Sequence, residues 1–174
     1  LDSDGDGWLD ADEAGDAERG RYTLPLSQAH KPTAGQTEKL PLVIPIAVGL
    51  VGSEGTDLPA QLEGETSDGT GAVSGTRVLL LDEASRSFVF EGLAERPTPS
   101  VLRGFSAPVA LRAQPRDRLF TLFARDTDPF NRWDAGQRLA TRVLLAGIAA
   151  NGAGSDWIPA AFVSAMRRVV AAAT

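Results

Sequence analysis

Residues 40–51 read LPLVIPIAVGLV, and the period of that run decides the fold. Leu42, Ile44, Ile46, Val48 and Leu50 recur at every second position, which aligns side chains on one face of an extended strand rather than along a helix. Pro45 and Gly49 fall on the opposite face and predict that this strand, 42–51, lies at a sheet edge or carries a bulge. Together with Pro41 they also break the run well short of the roughly 18 to 20 apolar residues a membrane helix needs. Gly52-Ser53-Glu54-Gly55-Thr56 then supplies a turn, after which 57–62 is predicted to return as a hairpin partner.

The same texture extends in both directions. Upstream, 21–27 sets Tyr22, Leu24 and Leu26 on one face against Thr23, Pro25 and Ser27 on the other. Downstream, strands are predicted at 77–81, 87–90, 101–103 and 108–111, with 64–75, rich in Gly, Ser and Thr, as a surface loop. Nine of the eleven prolines precede residue 116, as expected of short strands separated by turns. Six or seven such strands within about a hundred residues, each with one apolar face, are best satisfied by two sheets packed face to face, a β-sandwich of immunoglobulin-like type.

From Asp117 the period changes to that of a helix. A helix over 117–125, capped by Asp117, would carry Leu119, Leu122 and Phe123. A second, opened by the cap Asp128 and by Pro129 in its first turn, would run to 149 with Trp133, Leu139, Val143, Leu144 and Ile148 inward. Asn151-Gly152-Ala153-Gly154 ends it, and a third helix is predicted from 159 to about 172, capped by Ser155 or Asp156, with Phe162, Met166, Val169 and Val170 inward. These helices carry more apolar surface than one sandwich edge covers, so they are expected to begin a larger helical unit. The expected organisation is an acidic segment at 1–20, a sandwich at 21–115 and a helical part at 116–174.

Composition narrows the function. The 174 residues are 43% hydrophobic, with no cysteine, one histidine and one methionine. A chain of this length buries about 70% of the surface its unfolded form exposes and needs no disulfide or metal to fold. The absence of cysteine fits a reducing compartment, and the cytoplasm is the expected location. The chain opens Leu-Asp-Ser-Asp-Gly, without an initiator Met or a leader, and its start is expected to be internal to a longer reading frame. Of the net charge of −6, residues 1–20 contribute −7, from eight acids against Arg19, which leaves the rest at +1. A near-neutral body with no basic stripe predicts no nucleic-acid partner, and no membrane partner is expected either.

Candidate chemistry is sparse. His30 is the single histidine, so the two histidines of HExxH cannot be supplied, and it reads as an exposed loop residue. No Gly-Lys-Ser or Gly-Lys-Thr occurs; Gly69-Thr70-Gly71 is the nearest approach to a dinucleotide fingerprint and sits in a polar loop. Asp82-Glu83 reads as a solvated turn. One motif matches in full: residues 2–13, DSDGDGWLDADE, follow D-x-D-x-D-G-x5-E. In a calcium loop Asp2, Asp4 and Asp6 would donate carboxylates, Trp8 its carbonyl, Asp10 a bridging water and Glu13 two oxygens, with Gly7 at the bend. One residue precedes Asp2, and Gly15 and Gly20 interrupt any following helix, so a solvated linker and a first strand at 8–14 stand beside calcium as readings.

Three strings carry more than pattern. QTEKLPLVIPIAVGL (36–50), SFVFEGLAERPTPSVLRGFSAPVAL (87–111) and DPFNRWDAGQRLA (128–140) resemble, in order and spacing, the region after the catalytic domain in the bacterial aminopeptidase N group of the M1 family of zinc metallopeptidases. GFSAPV (104–109) and FNRWDAGQ (130–137) are the most telling; residues 1–15 depart from the family pattern. The resemblance implies an immunoglobulin-like sandwich followed by the first helices of a superhelical domain. It implies a non-catalytic spacer whose partners are the catalytic and C-terminal helical domains of one parent polypeptide, with peptide substrates met through the parent alone. Zinc would belong to the parent and not to this chain, because the family's GxMEN, HExxH and downstream Glu ligand are absent here and no catalytic residue carries over. The matched residues then acquire expected roles: Phe105 and Val109 in the core of the last strands, Pro108 setting their approach, Trp133 packing against the helical junction, and Arg132 and Gln137 hydrogen-bonding across it. The residues alone also support a rival, a calcium-stabilised sandwich that acts as a binding module with no peptidase parent.

Overall fold

The computed structural model describes residues 20–30, 34–35, 38–65, 74–111, 116–149 and 157–172. Within them, β1 (Tyr22–Ser27), β5 (Ser85–Glu91) and β3 (Gln61–Leu62) form one antiparallel sheet in the order β1-β5-β3. A second antiparallel sheet has the order β4-β2-β6, from β4 (Arg77–Leu81), β2 (Ile44–Val51) and β6 (Thr98–Val101). Tyr22, Leu24, Phe88 and Phe90 of the first sheet and Ile44, Ile46, Val48, Leu50, Leu79 and Leu81 of the second bury against one another, which makes the pair a β-sandwich with an apolar core. A short 3-10 turn, Arg103–Phe105, follows β6, and then come α1 (Arg116–Arg125), α2 (Pro129–Ala149) and α3 (Ala160–Ala171). Sandwich followed by helices is the expected fold class. Among the described residues no helix is long and apolar enough to cross a membrane.

The deciding strand behaves differently from its sequence reading in two respects. It begins at Ile44, leaving Leu42 and Val43 exposed ahead of it, and it is the central strand of its sheet rather than an edge. Its even positions fill the sandwich core as expected, but Ala47, Gly49 and Val51 on the other face are buried as well. Gly49 is therefore a close-approach position and not a bulge: a Cβ there would overlap the Arg103 guanidinium. Val51 enters a second core with Leu119, Leu122, Phe123, Ala135, Leu139 and Ala165. One strand thus serves two cores.

Other boundaries also move. The turn at 52–56 is present, closed by Gly52 N–H to the Thr56 carbonyl at 2.8 Å. The return is brief, a bridge of Val51 with Asp57 and a Leu58 N–H bond to the Leu50 carbonyl at 2.7 Å, and β3 then crosses to pair with β5. The strand predicted at 101–103 ends at Val101, and 108–111 forms no strand. Phe105 and Val109, expected in the core, are exposed because the chain leaves the sheet one residue after Val101 in a left-handed turn.

The helices follow the predicted ranges within a residue. Asp117 lies inside the first turn of α1 rather than capping it, while Asp128 caps α2 by accepting the Asn131 N–H at 2.8 Å. The buried stripe of α2 is Asn131, Ala135, Leu139, Val143 and Gly147, a row four apart along one face. At Gly136 an added Cβ would come within 2.7 Å of the Phe123 ring. This rotation corrects the expected inward set: Trp133, Leu144 and Ile148 of α2 and Met166 and Val170 of α3 are exposed, while Phe162 and Val169 pack against the helical core.

Gly49→Ala tests the close approach of strand and guanidinium. Overpacking at a rigid, backbone-fixed site costs about 1–3 kcal/mol or more, and for a chain of this size each kcal/mol lowers Tm by about 2–4 °C. A thermal melt of the 174-residue chain in which Gly49→Ala matches the native protein would contradict the packing described.

Candidate functional site

Arg103 lies two residues past the end of β6, where the sandwich meets the helices, and its side chain is 3% exposed. A buried guanidinium is tolerated when its five N–H groups find acceptors, and here all five do. Nε donates to Ser100 Oγ at 3.0 Å; Nη1 donates to Asp57 Oδ2 at 2.7 Å and to Thr76 Oγ1 at 3.2 Å. Nη2 donates to Asp57 Oδ1 at 2.7 Å and to Asp126 Oδ1 at 3.0 Å. The Asp57 pairing is bidentate, the geometry that arginine makes and lysine cannot.

The acceptors are themselves held from both halves of the chain. Ser100 Oγ donates to Asp126 Oδ2 at 2.6 Å and accepts from Asn131 Nδ2 at 2.7 Å, whose second hydrogen reaches the Val101 carbonyl at 2.9 Å. Asp126 accepts the Asp128 N–H at 3.0 Å, and the Thr127 hydroxyl donates to Asp57. Asp128, besides capping α2, accepts the Gly104 N–H at 3.2 Å. The α1–α2 connection at 126–128 and the first turn of α2 are thus tied to β6 and to the loop at Asp57.

Burial is the largest influence on each of the three charged groups, and it does not prevail everywhere. At Asp57 it pushes the carboxyl up, but the hydrogen bond and charge of Arg103 and the Thr127 hydroxyl outweigh it and hold the carboxyl below its ordinary value. At Arg103 burial is likewise outweighed, by Asp57 and Asp126, and the guanidinium is held more firmly protonated. Asp126 has no exposed side-chain surface, and there burial prevails over Ser100, the Asp128 N–H and Arg103, raising its carboxyl above the ordinary value.

The turn that delivers Arg103 is strained. Leu102 and Phe105 have φ of 64° and 56°, left-handed values that cost a residue with a Cβ about 1–2 kcal/mol each. Arg103, the Gly104 N–H bond and Ser106, whose Oγ accepts the Ala47 N–H at 2.9 Å, hold it in place. The strain turns Phe105 outward, with its ring 5.5 Å from Phe130, which lies 5.9 Å from Trp133. Trp133 therefore stands at the junction but on its surface. Arg132 and Gln137 make no side-chain hydrogen bond across the junction among the described residues; Ser100, Arg103 and Asn131 do so instead.

None of those three, nor Asp57 or Asp126, stands out in the sequence. The signal available was an arginine inside the apolar string SVLRGF and the acids of Asp126-Thr127-Asp128 between two helices, but no spacing links 57, 103 and 126. The proposed calcium ligands Asp2, Asp4, Asp6, Trp8, Asp10 and Glu13 all lie outside the described residues. His30 Nε2 is 2.8 Å from Gln28 Oε1, and among the described residues no three His, Cys, Asp or Glu side chains gather as metal ligands. The Asp57 and Asp126 carboxylates are already bonded to the Arg103 guanidinium, and this set does not fit the zinc of the resembled family.

The site sits on a recognisable background. Residues 8–114 match the family described as "Domain of unknown function (DUF3458) Ig-like fold", and residues 116–174 match its companion, described as "ARM repeats". Aminopeptidase N of Escherichia coli (strain K12) is 34% identical over 152 residues, 86% of this chain. Aminopeptidase N of Haemophilus influenzae is 37% identical over 134 residues, 76% of this chain, and that of Caulobacter vibrioides 50% over 72 residues, 40% of it. The chain spans 17%, 14% and 8% of the length of these three relatives. A crystal structure of Legionella pneumophila aminopeptidase A in complex with aspartic acid shares the fold, with a TM-score of 0.61 at 23% identity over 89% of this chain and 15% of that one.

Acid titration tests the Asp57 assignment. A carboxyl lowered by folding adds stability that is complete above its unfolded value and is lost as pH falls through the folded one. Asp57→Asn is expected to cost about 3 kcal/mol at pH 7 by leaving Arg103 short of a charge partner, with the gap to the native chain narrowing below about pH 4. The raised Asp126 acts in the opposite sense in both proteins. Urea unfolding at pH 7, 5, 4 and 3 reads the gap; a constant difference would refute the shift.

Proposed function

The chain belongs to the Ig-like DUF3458 family as a segment of the M1 aminopeptidase N group, and on that premise we propose that it is a non-catalytic spacer within a zinc aminopeptidase. In this reading the parent removes N-terminal residues from peptides, and the segment packs its catalytic domain against its C-terminal helical domain. The observation that carries the proposal is the Arg103 network. It ties β6 and the Asp57 loop to the first turn of α2 through directional bonds, so that sandwich and helices hold one relative orientation. A spacer that enclosed an active site would need that property, because an error of an ångström in positioning groups around a reacting centre costs rate. We take 21–115 as the sandwich, 116–174 as the opening of the helical domain and the cytoplasm as the parent's compartment.

The 174-residue chain, supplied with zinc and an aminoacyl-anilide, is expected to give no turnover above a heat-killed control, while the full-length parent hydrolyses the same substrate. Turnover by the chain alone would overturn the assignment.

The acidic head supports a second, independent reading because DSDGDGWLDADE meets every liganding position of a calcium loop. Calcium bound at Asp2, Asp4, Asp6, Asp10 and Glu13 would stabilise the chain by about 2.7 kcal/mol at a hundredfold excess over Kd. The rise in Tm with calcium is then lost in the Asp2→Ala, Asp6→Ala double variant; identical melts with and without calcium exclude the site.

A further inference from the structure

Beside the Arg103 network, between the segment that follows β6 and the first half of α2, lies a cavity of about 70 Å³. Its buried lining includes Leu122 of α1 and Ala135 of α2. The rings of Phe105 and Phe130, 5.5 Å apart, form a side wall, and the left-handed backbone at Phe105 holds its ring in that position. Asn131 also borders the cavity, but both of its amide hydrogens are taken, by Ser100 and by the Val101 carbonyl. The interior is therefore apolar.

The solvent side is different. Asp134 and Arg138, one turn apart on α2 and each about a third exposed, border the cavity as an ion pair with Nε 2.8 Å from Oδ2. Arg138 Nη1 also donates to the Leu111 carbonyl at 3.2 Å, which fixes the guanidinium across the opening. Among the described residues nothing engages Arg138 Nη2 or Asp134 Oδ1. An acid and a guanidinium thus stand side by side at the mouth, each with bonding capacity to spare.

An apolar recess with a few convergent polar groups is the usual composition of a small-molecule site. A dry cavity of about 150 Å³ holds benzene, so one roughly half as large takes a branched alkyl group of about three or four carbons. The mouth selects the rest of the ligand. A simple amine or a simple carboxylate would be attracted by one member of the pair and repelled by the other, whereas a zwitterion satisfies both.

We propose that this cavity binds a free aliphatic α-amino acid of about the size of valine, with its side chain between Phe105, Phe130 and Ala135. Its ammonium group donates to Asp134 Oδ1 and its carboxylate accepts from Arg138 Nη2. The site stands on the cavity and the ion pair and does not depend on the spacer reading; under that reading, amino acids of this class are among the products the parent releases.

The test is titration of the isotope-labelled 174-residue chain with L-valine, followed by amide NMR shifts. Saturable shifts confined to residues 101–111 and 130–138 are expected, with a Kd on the order of 1 mM. Glycine lacks the side chain, N-acetyl-L-valine the ammonium group and L-valinamide the carboxylate, and each is expected to bind roughly tenfold more weakly or worse. Asp134→Asn and Arg138→Gln, at half-buried surface positions, are expected to weaken L-valine by a similar factor while keeping the dispersed spectrum of the native chain. The analogues carry the test even where a variant fails to fold. Absence of saturable shifts with L-valine, shifts that map elsewhere, or equal affinity for valinamide and acetylvaline would each overturn the proposal.

Discussion

The bidentate pairing of Arg103 with Asp57, completed by Asp126, is the interaction on which the arrangement of the two halves depends. Apolar contact between Val51 and the helical core would hold sandwich and helices together over a range of angles, because burial is not directional. Five guanidinium hydrogen bonds with acceptors on the Asp57 loop, at Thr76, on β6 and on the α1–α2 connection are satisfied at one angle. A buried ion pair of this kind contributes little net stability compared with an apolar packing of equal volume. Its effect is on uniqueness, since any slip of α2 against β6 would strand a buried charge.

That demand explains local features that otherwise look unfavourable. Gly49 sits in the middle of a central strand, where a glycine weakens pairing, because the guanidinium occupies the space of a side chain. Leu102 and Phe105 accept left-handed backbones because the turn between β6 and the helices has to bring Arg103 back under the sheet within two residues of Val101. Asn131 occupies a buried position on α2 where the helical period would place an apolar residue, and it is repaid by bonds to Ser100 and to the Val101 carbonyl.

Elements governed by local pattern were legible in the sequence. β4 and the three helices fall at their predicted places, because a short apolar run at Arg77–Leu81 and spacing by three and four at Leu119, Leu122 and Phe123 need no tertiary knowledge. The strand and helix periods indicated the fold class, and the resemblance of GFSAPV and FNRWDAGQ to a family region implied the same one, but assigning roles to the matched residues did not succeed. Phe105, Val109 and Trp133 read as core because they are apolar and matched, whereas the left-handed turn at 102–105 and the buried row of α2 at Asn131, Ala135 and Leu139 leave them on the surface. Arg103 was passed over for the converse reason: arginine is rarely buried, and its partners lie 46 and 23 residues away, beyond any local signal. The edge position assigned to β2 failed likewise, since proline and glycine at alternate sites indicate an exposed strand unless something else fills the space they leave.

The two ends of β2 illustrate how one sheet can join neighbours of different kinds. At Val51 the neighbour is the helical part of the same chain, and a polar lock beside a small apolar core fixes its orientation. At the Ile44 end the outer face carries the exposed Val78 and Leu80 and no buried charge, so a partner meeting it there would gain by burial without having to satisfy a guanidinium at a single angle. Ala47 lies between the two regimes, with its N–H held by Ser106 of the strained turn and its register partner Val78 on that exposed face. A displacement of the turn at 102–106 would therefore act on β2 next to that face. The helical junction and the exposed face thus meet on one strand, β2, a few residues apart.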